Sequence, residues 1–245
     1  MAIVIGRSVA MWPGMELCFV VPAFNAEASV GRVIADLTQA AQAVNDSARI
    51  WVVDDGSTDG TCTAARHANV ELIRLRSNRG KGAALRAGLH AASRAGVVTL
   101  VSVDADGQHP AEEAVRIARL SVPDTSLILG VRDLIRDGAP RANQLSNAFS
   151  NSVLSLFTRQ RLLDTQCGLR RYPVEATLQL NARDDGYAFE SEVLMRACHA
   201  GLVIVQEPVR VIYPQGAARV SHFHVRRDPA KIVFRVVRTL LELPR

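Results

Sequence analysis

Through its first 130 residues the chain repeats one pattern: a short apolar run rich in β-branched residues, a few polar residues, then a stretch with helical periodicity. Strand-like runs at 17–21, 50–53, 70–75, 97–103 and 127–130 alternate with helical stretches at 28–44, 61–67, 82–94 and 111–120. Strands separated by helices pair in parallel and need cover on both faces, so the pattern predicts an α/β fold with a mostly parallel sheet flanked by helices. Ligands of such sheets gather where the strands end. Three runs end directly in polar clusters, Pro22-Ala23-Phe24-Asn25, Asp54-Asp55-Gly56-Ser57 and Asp104-Ala105-Asp106, and a parallel sheet brings all three to one edge. Beyond about residue 132 the alternation fades. Helices are expected near 144–157 and 190–200, and this half is expected to finish the site rather than form a second domain.

The chain has 245 residues, enough for a full core, and its 48% hydrophobic and 22% charged content excludes a disordered protein. Cys18, Cys62, Cys167 and Cys198 form no close pair. That spacing suggests neither a zinc cluster nor a disulfide framework and fits a reducing cytoplasm. No run reaches the ~18 apolar residues of a membrane span. The N-terminal stretch is broken by Arg7, Pro13 and Gly14, so residues 1–16 read as a leader rather than a signal peptide.

Residues 201–245 carry eight Lys and Arg against three acids, which accounts for the whole net charge of +5. Within the segment 216–245, Lys231, Arg235, Arg238 and Glu242 share one helical face and Ile232, Val236 and Leu240 lie on the other. Such a helix fits an anionic lipid surface, and equally a core-packing helix with a solvated basic face. Nucleic acid is an unexpected partner, because aromatic residues make up only 5% of the chain and no recognition motif appears.

Two carboxylates one residue apart, Asp104 and Asp106, followed by Gln108, offer hard oxygen ligands suited to Mg²⁺ or Mn²⁺ beside a diphosphate. Taken alone, the same residues also make an ordinary acidic turn. Asp54 and Asp55 stand where a carboxylate can accept from a base and a ribose, although Ser57 and Asp59 equally suit a helix cap. Asn78-Arg79-Gly80-Lys81-Gly82 puts glycines and a lysine before a helix, a geometry for phosphate. It is not a Walker A loop, since Gly82 follows Lys81, and Leu85 stands where a dinucleotide fingerprint needs glycine.

Taken in order, these four motifs resemble the family 2 glycosyltransferases of the GT-A (Rossmann-like) fold, most closely the dolichyl-phosphate mannose synthase and polyprenyl-phosphate glycosyltransferase branch. The resemblance runs from about residue 17 to 213 and implies a single GT-A domain at 17–215. It implies an inverting transfer from a nucleotide-diphosphate sugar to a lipid-linked acceptor, in the cytoplasm and at the inner face of the membrane. A glycan or other hydroxyl acceptor, or nucleotide-sugar binding without turnover, are the alternatives.

By that resemblance Pro22, Phe24, Asn25, Val52, Asp54, Asp55, Lys81 and Ala105 belong to the nucleotide-sugar site. Glu27 joins them, displaced by one position from the family's acid. Asp104, Asp106 and Gln108 would hold the metal, and Asp106 would be catalytic. Gly130-Val131-Arg132 and Arg141 resemble the acceptor-phosphate arginines. Asp164-Thr165-Gln166-Cys167-Gly168-Leu169-Arg170 resembles the family's D-x-x-x-G-F-R segment. Asp164, Glu190 and Glu192 are candidate bases for a hydroxyl acceptor, and the sequence does not rank the two glutamates. The family's late lysine is missing, so Arg219, His222 or His224 would take its place on the diphosphate.

Overall fold

The computed structural model describes residues 15–66, 70–213, 238, 239 and 242. Arg219, His222 and His224, and nearly all of the expected leader and basic C-terminal segment, lie outside the described residues. Of the expected amphipathic helix, Arg238, Thr239 and Glu242 are described, all three helical.

The elements follow in the order β1 (Glu16–Ala23), α1 (Val30–Gln42), β2 (Ser47–Asp54), α2 (Thr61–Ala64), β3 (Val70–Arg74), α3 (Lys81–Arg94) and β4 (Thr99–Ser102). The second half adds α4 (Ala111–Ala118), β5 (Leu127–Arg132), α5 (Arg141–Thr158), β6 (Arg170–Pro173), α6 (Val174–Gln179), α7 (Ala188–His199) and β7 (Ile204–Val209). All seven strands join one sheet in the order β3-β2-β1-β4-β6-β5-β7. Only β6 runs against its neighbours β4 and β5. The expected single, mostly parallel layer is therefore present, and the second half extends it.

Each strand's alternation decides which helices cover which face. Phe19, Val21, Ile50, Val52 and Val101 pack with Val33 and Leu37 of α1 and Ile117 of α4. Val20, Trp51, Val53, Leu100 and Leu129 point the other way, onto Leu85 and Leu89 of α3 and Val193 and Leu194 of α7. Each fully buried branched side chain of this kind contributes about 1.5–3 kcal/mol.

Three elements, β6, α6 and β7, have no counterpart in the sequence expectation. β6 is four residues long and contains Arg170 and Arg171, so it lacks an apolar signature, yet both guanidinium groups are buried. Arg171 Nη1 donates to the carbonyls of Ala118 at 3.1 Å and Leu120 at 2.9 Å, satisfying the orphan end of α4. α6 follows β6 directly, with Pro173 at its N-cap. β7 carries Gln206, Glu207 and Pro208, which obscure it as a strand, and it lies at the sheet's edge, where proline is tolerated. The expected helix at 61–67 is a single turn, and α5 begins three residues earlier than expected, at Arg141 after Pro140.

α3 lies close on the sheet because Gly88 has no side chain: an added Cβ would overlap Val20 Cγ2 of β1. Gly88→Ala should therefore cost about 1–3 kcal/mol in urea unfolding, overriding the ~1 kcal/mol that alanine gains in helix propensity. Adding Val20→Ala should return part of that loss. Strictly additive losses would contradict the contact.

Candidate active site

The C-terminal ends of β1, β2, β4 and β5 and the N-terminal end of β6 meet on one edge, because β6 alone is reversed. The loops after β1 and β2 are strapped together there. Asn25, at a left-handed φ of 48°, donates its N–H to Ser57 Oγ at 2.9 Å, and its Oδ1 accepts the Thr58 N–H at 3.0 Å. Glu27 Oε2 accepts the Gly60 N–H at 3.0 Å, and a Cβ on Gly60 would overlap that carboxylate. Glu27 thus braces the loop from an exposed position. Pro22 and Phe24 remain partly open beside it, whereas Val52 and Ala105 are buried and their side chains pack in the core rather than line the crevice.

Asp54 and Asp55, expected to face a nucleotide, turn inward. Asp54 is fully buried, its Oδ1 accepting the Ser57 N–H at 2.9 Å and its Oδ2 the Cys62 thiol at 2.8 Å. Asp55 accepts the N–H groups of Arg79 at 2.8 Å and Gly80 at 2.6 Å. Burial, the largest influence, still raises its pKa. The loop read as a phosphate cradle is therefore already filled by a carboxylate of the protein, which satisfies those backbone donors as a phosphate would. Gly80, at φ 110°, and Gly82 leave room for a second approach: a Cβ on either would collide with the backbone of Asp185 or Asp184. Arg86, donating to the Asp184 carbonyl at 2.6 Å, and Arg79, paired with Asp185 at 2.9 Å, hold that loop on α3.

Lys81, at the first position of α3, reaches across the edge. Its Nζ is 2.6 Å from Asp104 Oδ1 and 3.3 Å from Glu190 Oε2. Arg170 Nε lies 3.6 Å from Glu190 Oε1, and the same guanidinium donates to the carbonyls of Cys167 at 2.8 Å, Glu190 at 3.0 Å and Thr165 at 2.7 Å. The result is a line of alternating charge, Arg170, Glu190, Lys81 and Asp104. Lys81 is thus an internal counter-ion here rather than a free phosphate ligand. Burial acts against the Asp104 charge, but the Lys81 ammonium outweighs it and the pKa falls below 3.8. Gly168 makes room for the carboxylate, since a Cβ there would overlap Asp104 Oδ2.

Asp106 stands next in line at the exposed mouth, in a turn with Gly107 at φ 70°. Its Oδ1 accepts the Gln108 N–H at 3.0 Å, and Gln108 O accepts the Ile212 N–H at 2.8 Å. Desolvation by the crevice walls, and then the Asp104 charge, push its pKa up to about 6. Among the described residues no group of three or more His, Cys, Asp or Glu side chains gathers as a metal cage. Asp104, Asp106 and Gln108 could supply only part of an oxygen shell for Mg²⁺ or Mn²⁺, the remainder coming from a diphosphate and water. His109 adds no charge: burial takes its pKa down to about 4, and its Nε2 lies 3.8 Å from Cys167 Sγ.

The candidate bases are committed elsewhere. Arg132 donates from Nε to Asp164 Oδ2 at 2.7 Å and from Nη2 to Asp164 Oδ1 at 2.9 Å, while Asn147 of α5 donates to Oδ1 at 2.7 Å. Asp164 is therefore a clamp that orients Arg132. Glu192 is fully buried and accepts the N–H groups of Arg183 and Asp184 and the Arg196 guanidinium at 3.0, 2.9 and 2.9 Å. Arg196 also reaches Glu242 at 2.7 Å, tying the last described residue to α7. Of the two glutamates, only Glu190 faces the crevice. Arg141 is exposed at the start of α5. Asn147 and Ser102, whose Oγ donates to Gly168 O at 2.6 Å, support the site without having been singled out by sequence, and Arg170 enters there only as part of its motif.

The sequence model of glycosyl transferase family 2 matches residues 18–175. The chain belongs to this family. As a family 2 glycosyltransferase it is 28% identical over 237 residues to the polyprenol monophosphomannose synthase of Mycolicibacterium smegmatis, with 90% of this chain and 86% of the relative covered. It is 27% identical to an undecaprenyl-phosphate mannosyltransferase of Micrococcus luteus, covering 81% of this chain and 84% of that protein. Its fold matches the crystal structure of glucosyl-3-phosphoglycerate synthase from Mycobacterium tuberculosis, at a TM-score of 0.66 and 22% identity over 95% of this chain and 80% of that one. The fold of this glycosyltransferase is thus GT-A.

The Arg132–Asp164 clamp should be visible in its stability. Arg132→Met leaves a buried carboxylate without its cation and should cost about 3–5 kcal/mol at neutral pH. Burial opposes the Asp164 charge, yet Arg132 holds the folded pKa below 3.8. The pair's contribution is therefore present above the unfolded value of about 3.9 and lost as pH falls through the folded one. The gap between wild type and variant in urea melts should narrow on acidification, most steeply below about pH 4. A gap unchanged by acid would refute the clamp.

Proposed function

We propose that this glycosyltransferase moves a sugar from a nucleotide-diphosphate sugar to a polyprenyl phosphate, inverting the anomeric centre, with Mg²⁺ or Mn²⁺ held by Asp104 and Asp106. The acceptor reading rests on one observation: all three candidate bases for a hydroxyl acceptor are already bound. Asp164 is gripped by Arg132, Glu192 by Arg196 and two N–H groups, and Glu190 by Lys81. A hydroxyl nucleophile needs a base to take its proton, whereas a phosphate arrives as an anion and needs none. The names of the Mycolicibacterium and Micrococcus relatives point to the same acceptor class.

On this reading the donor's base and ribose lie on Pro22 and Phe24, against loops stiffened by Asn25 and Glu27. The diphosphate runs toward Asp104, Asp106 and Gln108. A bound divalent cation would supply Lewis-acid stabilisation of the charge that develops on the departing diphosphate. The protein's share is preorganisation: Lys81 fixes and ionises Asp104, and the Gln108 N–H fixes Asp106 before any ligand arrives. Arg132, aligned by Asp164, and Arg141, at the N-terminus of α5, are suited to the acceptor phosphate, since a guanidinium can bind a phosphate through two parallel N–H donors. No helix among the described residues is long and apolar enough to cross a membrane, so the encounter with a lipid substrate would take place from the membrane surface.

Asp106→Ala should reduce transfer by at least ~100-fold with no change in the urea midpoint. The assay follows a radiolabelled nucleotide sugar into an organic-soluble product in the presence of polyprenyl phosphate, with and without a chelator. Full activity of the variant would remove the donor-site assignment. Label transferred only to water-soluble hydroxyl acceptors would remove the lipid-phosphate reading.

A further inference from the structure

α5 carries more apolar surface outward than inward. Its inward arc combines the buried Leu154 with Asn147, which bonds Asp164, and Ser150, whose Oγ lies 2.9 Å from Thr165 Oγ1. Its outward arc is apolar. Leu145, Phe149 and Leu156 fall at i, i+4 and i+11, and are 72%, 53% and 73% exposed. At 100° per residue these three share one arc with Ala142, Ala148 and Ser152, and the only charge in the 18-residue helix is Arg141 at its first position. Ile135, in the turn leading into α5, is 80% exposed. Single exposed apolar residues are ordinary on soluble proteins, but an aligned stripe on a helix free of acids is not.

The rim of the stripe is basic. Arg136, Arg141, Arg159 and Arg161 are exposed before, at the start of, and just after the helix, against Asp133 and Asp137, the latter paired with Arg136 at 3.2 Å. An apolar stripe flanked by arginines is the arrangement that seats a helix in the plane of an anionic bilayer. The stripe also adjoins the chemistry: α5 starts with Arg141, and its opposite arc holds the Asp164 that orients Arg132.

We propose that the outward face of α5 is the membrane-docking surface of this enzyme, lying in the headgroup region of an anionic phospholipid bilayer so that the acceptor-side arginines stand at the lipid phosphate level. The inference deepens the lipid-phosphate reading and rests on it for its purpose, while the docking itself is a separate physical event. Leu145 and Phe149 enter the acyl boundary, and the arginines meet the lipid phosphates.

The test is co-sedimentation of the full chain with phosphatidylglycerol-rich vesicles and with pure phosphatidylcholine vesicles, for wild type, Leu145→Glu/Phe149→Glu and Leu145→Trp/Phe149→Trp. Both positions are exposed, so the variants should unfold at the wild-type urea midpoint. The wild type should prefer the anionic vesicles, the glutamate pair should bind at least about tenfold more weakly, and the tryptophan pair should bind as wild type. The glutamate pair should keep its transfer to a short-chain, water-dispersible polyprenyl phosphate. Vesicle binding unaffected by the glutamate pair would overturn the proposal. So would a wild-type dimer in solution that the glutamate pair splits while vesicles fail to bind either form, which would give the face to a second copy. A wild type that binds vesicles through this face yet transfers to no lipid phosphate upholds the docking and fails the acceptor reading.

Discussion

The ammonium of Lys81 stands between two carboxylates from distant parts of the chain, Asp104 after β4 and Glu190 on α7, and the site is assembled around it. Without a cation at that point, two acidic groups would face each other in a crevice with little water between them. Arg170 extends the compensation to the far side of Glu190 and, through three carbonyls, fastens the segment from Thr165 to β6. The antiparallel β6 thereby ties the second half of the chain to the first. Asp104 is left ionised and immobile, and Asp106 is left with an excess of negative charge.

This arrangement divides the edge into two kinds of carboxylate. Asp54, Asp55, Asp164 and Glu192 are consumed by N–H groups and guanidinium groups of the protein, and act as internal anions that hold loops in place. Asp106 alone among the crevice acids combines solvent exposure with a raised pKa. An acid that the protein leaves uncompensated is the natural point for a ligand's cation, whereas an acid whose lone pairs are filled is structural. The same accounting favours an acceptor that brings its own negative charge.

The first half of the fold is legible in the sequence because β1, β2 and β4 are largely buried and read as apolar runs bounded by polar clusters. The second half is not, because β6 hides two arginines held by backbone carbonyls and, for Arg170, by Glu190, and β7 is an edge strand that tolerates Glu207 and Pro208. The acidic turn at Asp104 and Asp106 is likewise visible from its place after an apolar run. What sequence conceals is direction. Asp54 and Asp55 look alike as strand-end acids, and nothing in their identity reveals that Ser57, Arg79 and Gly80 turn them inward. Lys81 next to glycines suggests phosphate, yet its length and its start on α3 carry it to Asp104 instead. The glutamates Glu190 and Glu192 stand two positions apart on a helix, which places them on different sides, and only the packing of α7 decides which side meets the crevice. For α5, an inner arc that mixes Asn147 and Ser150 with Leu154 and an outer arc carrying Leu145, Phe149 and Leu156 blur the pattern that would identify its buried face.

On the proposed reading, the acidic turn after β4 grips a divalent ion against the diphosphate of a sugar donor. The most direct measurement is an anomalous difference map from crystals of this protein soaked with Mn²⁺ and a nucleotide-diphosphate sugar. The account predicts a peak about 2.1 Å from carboxylate oxygens of both Asp104 and Asp106, with the diphosphate completing the shell. Donor bound in the crevice with manganese absent from that turn, or centred on other side chains, would contradict it.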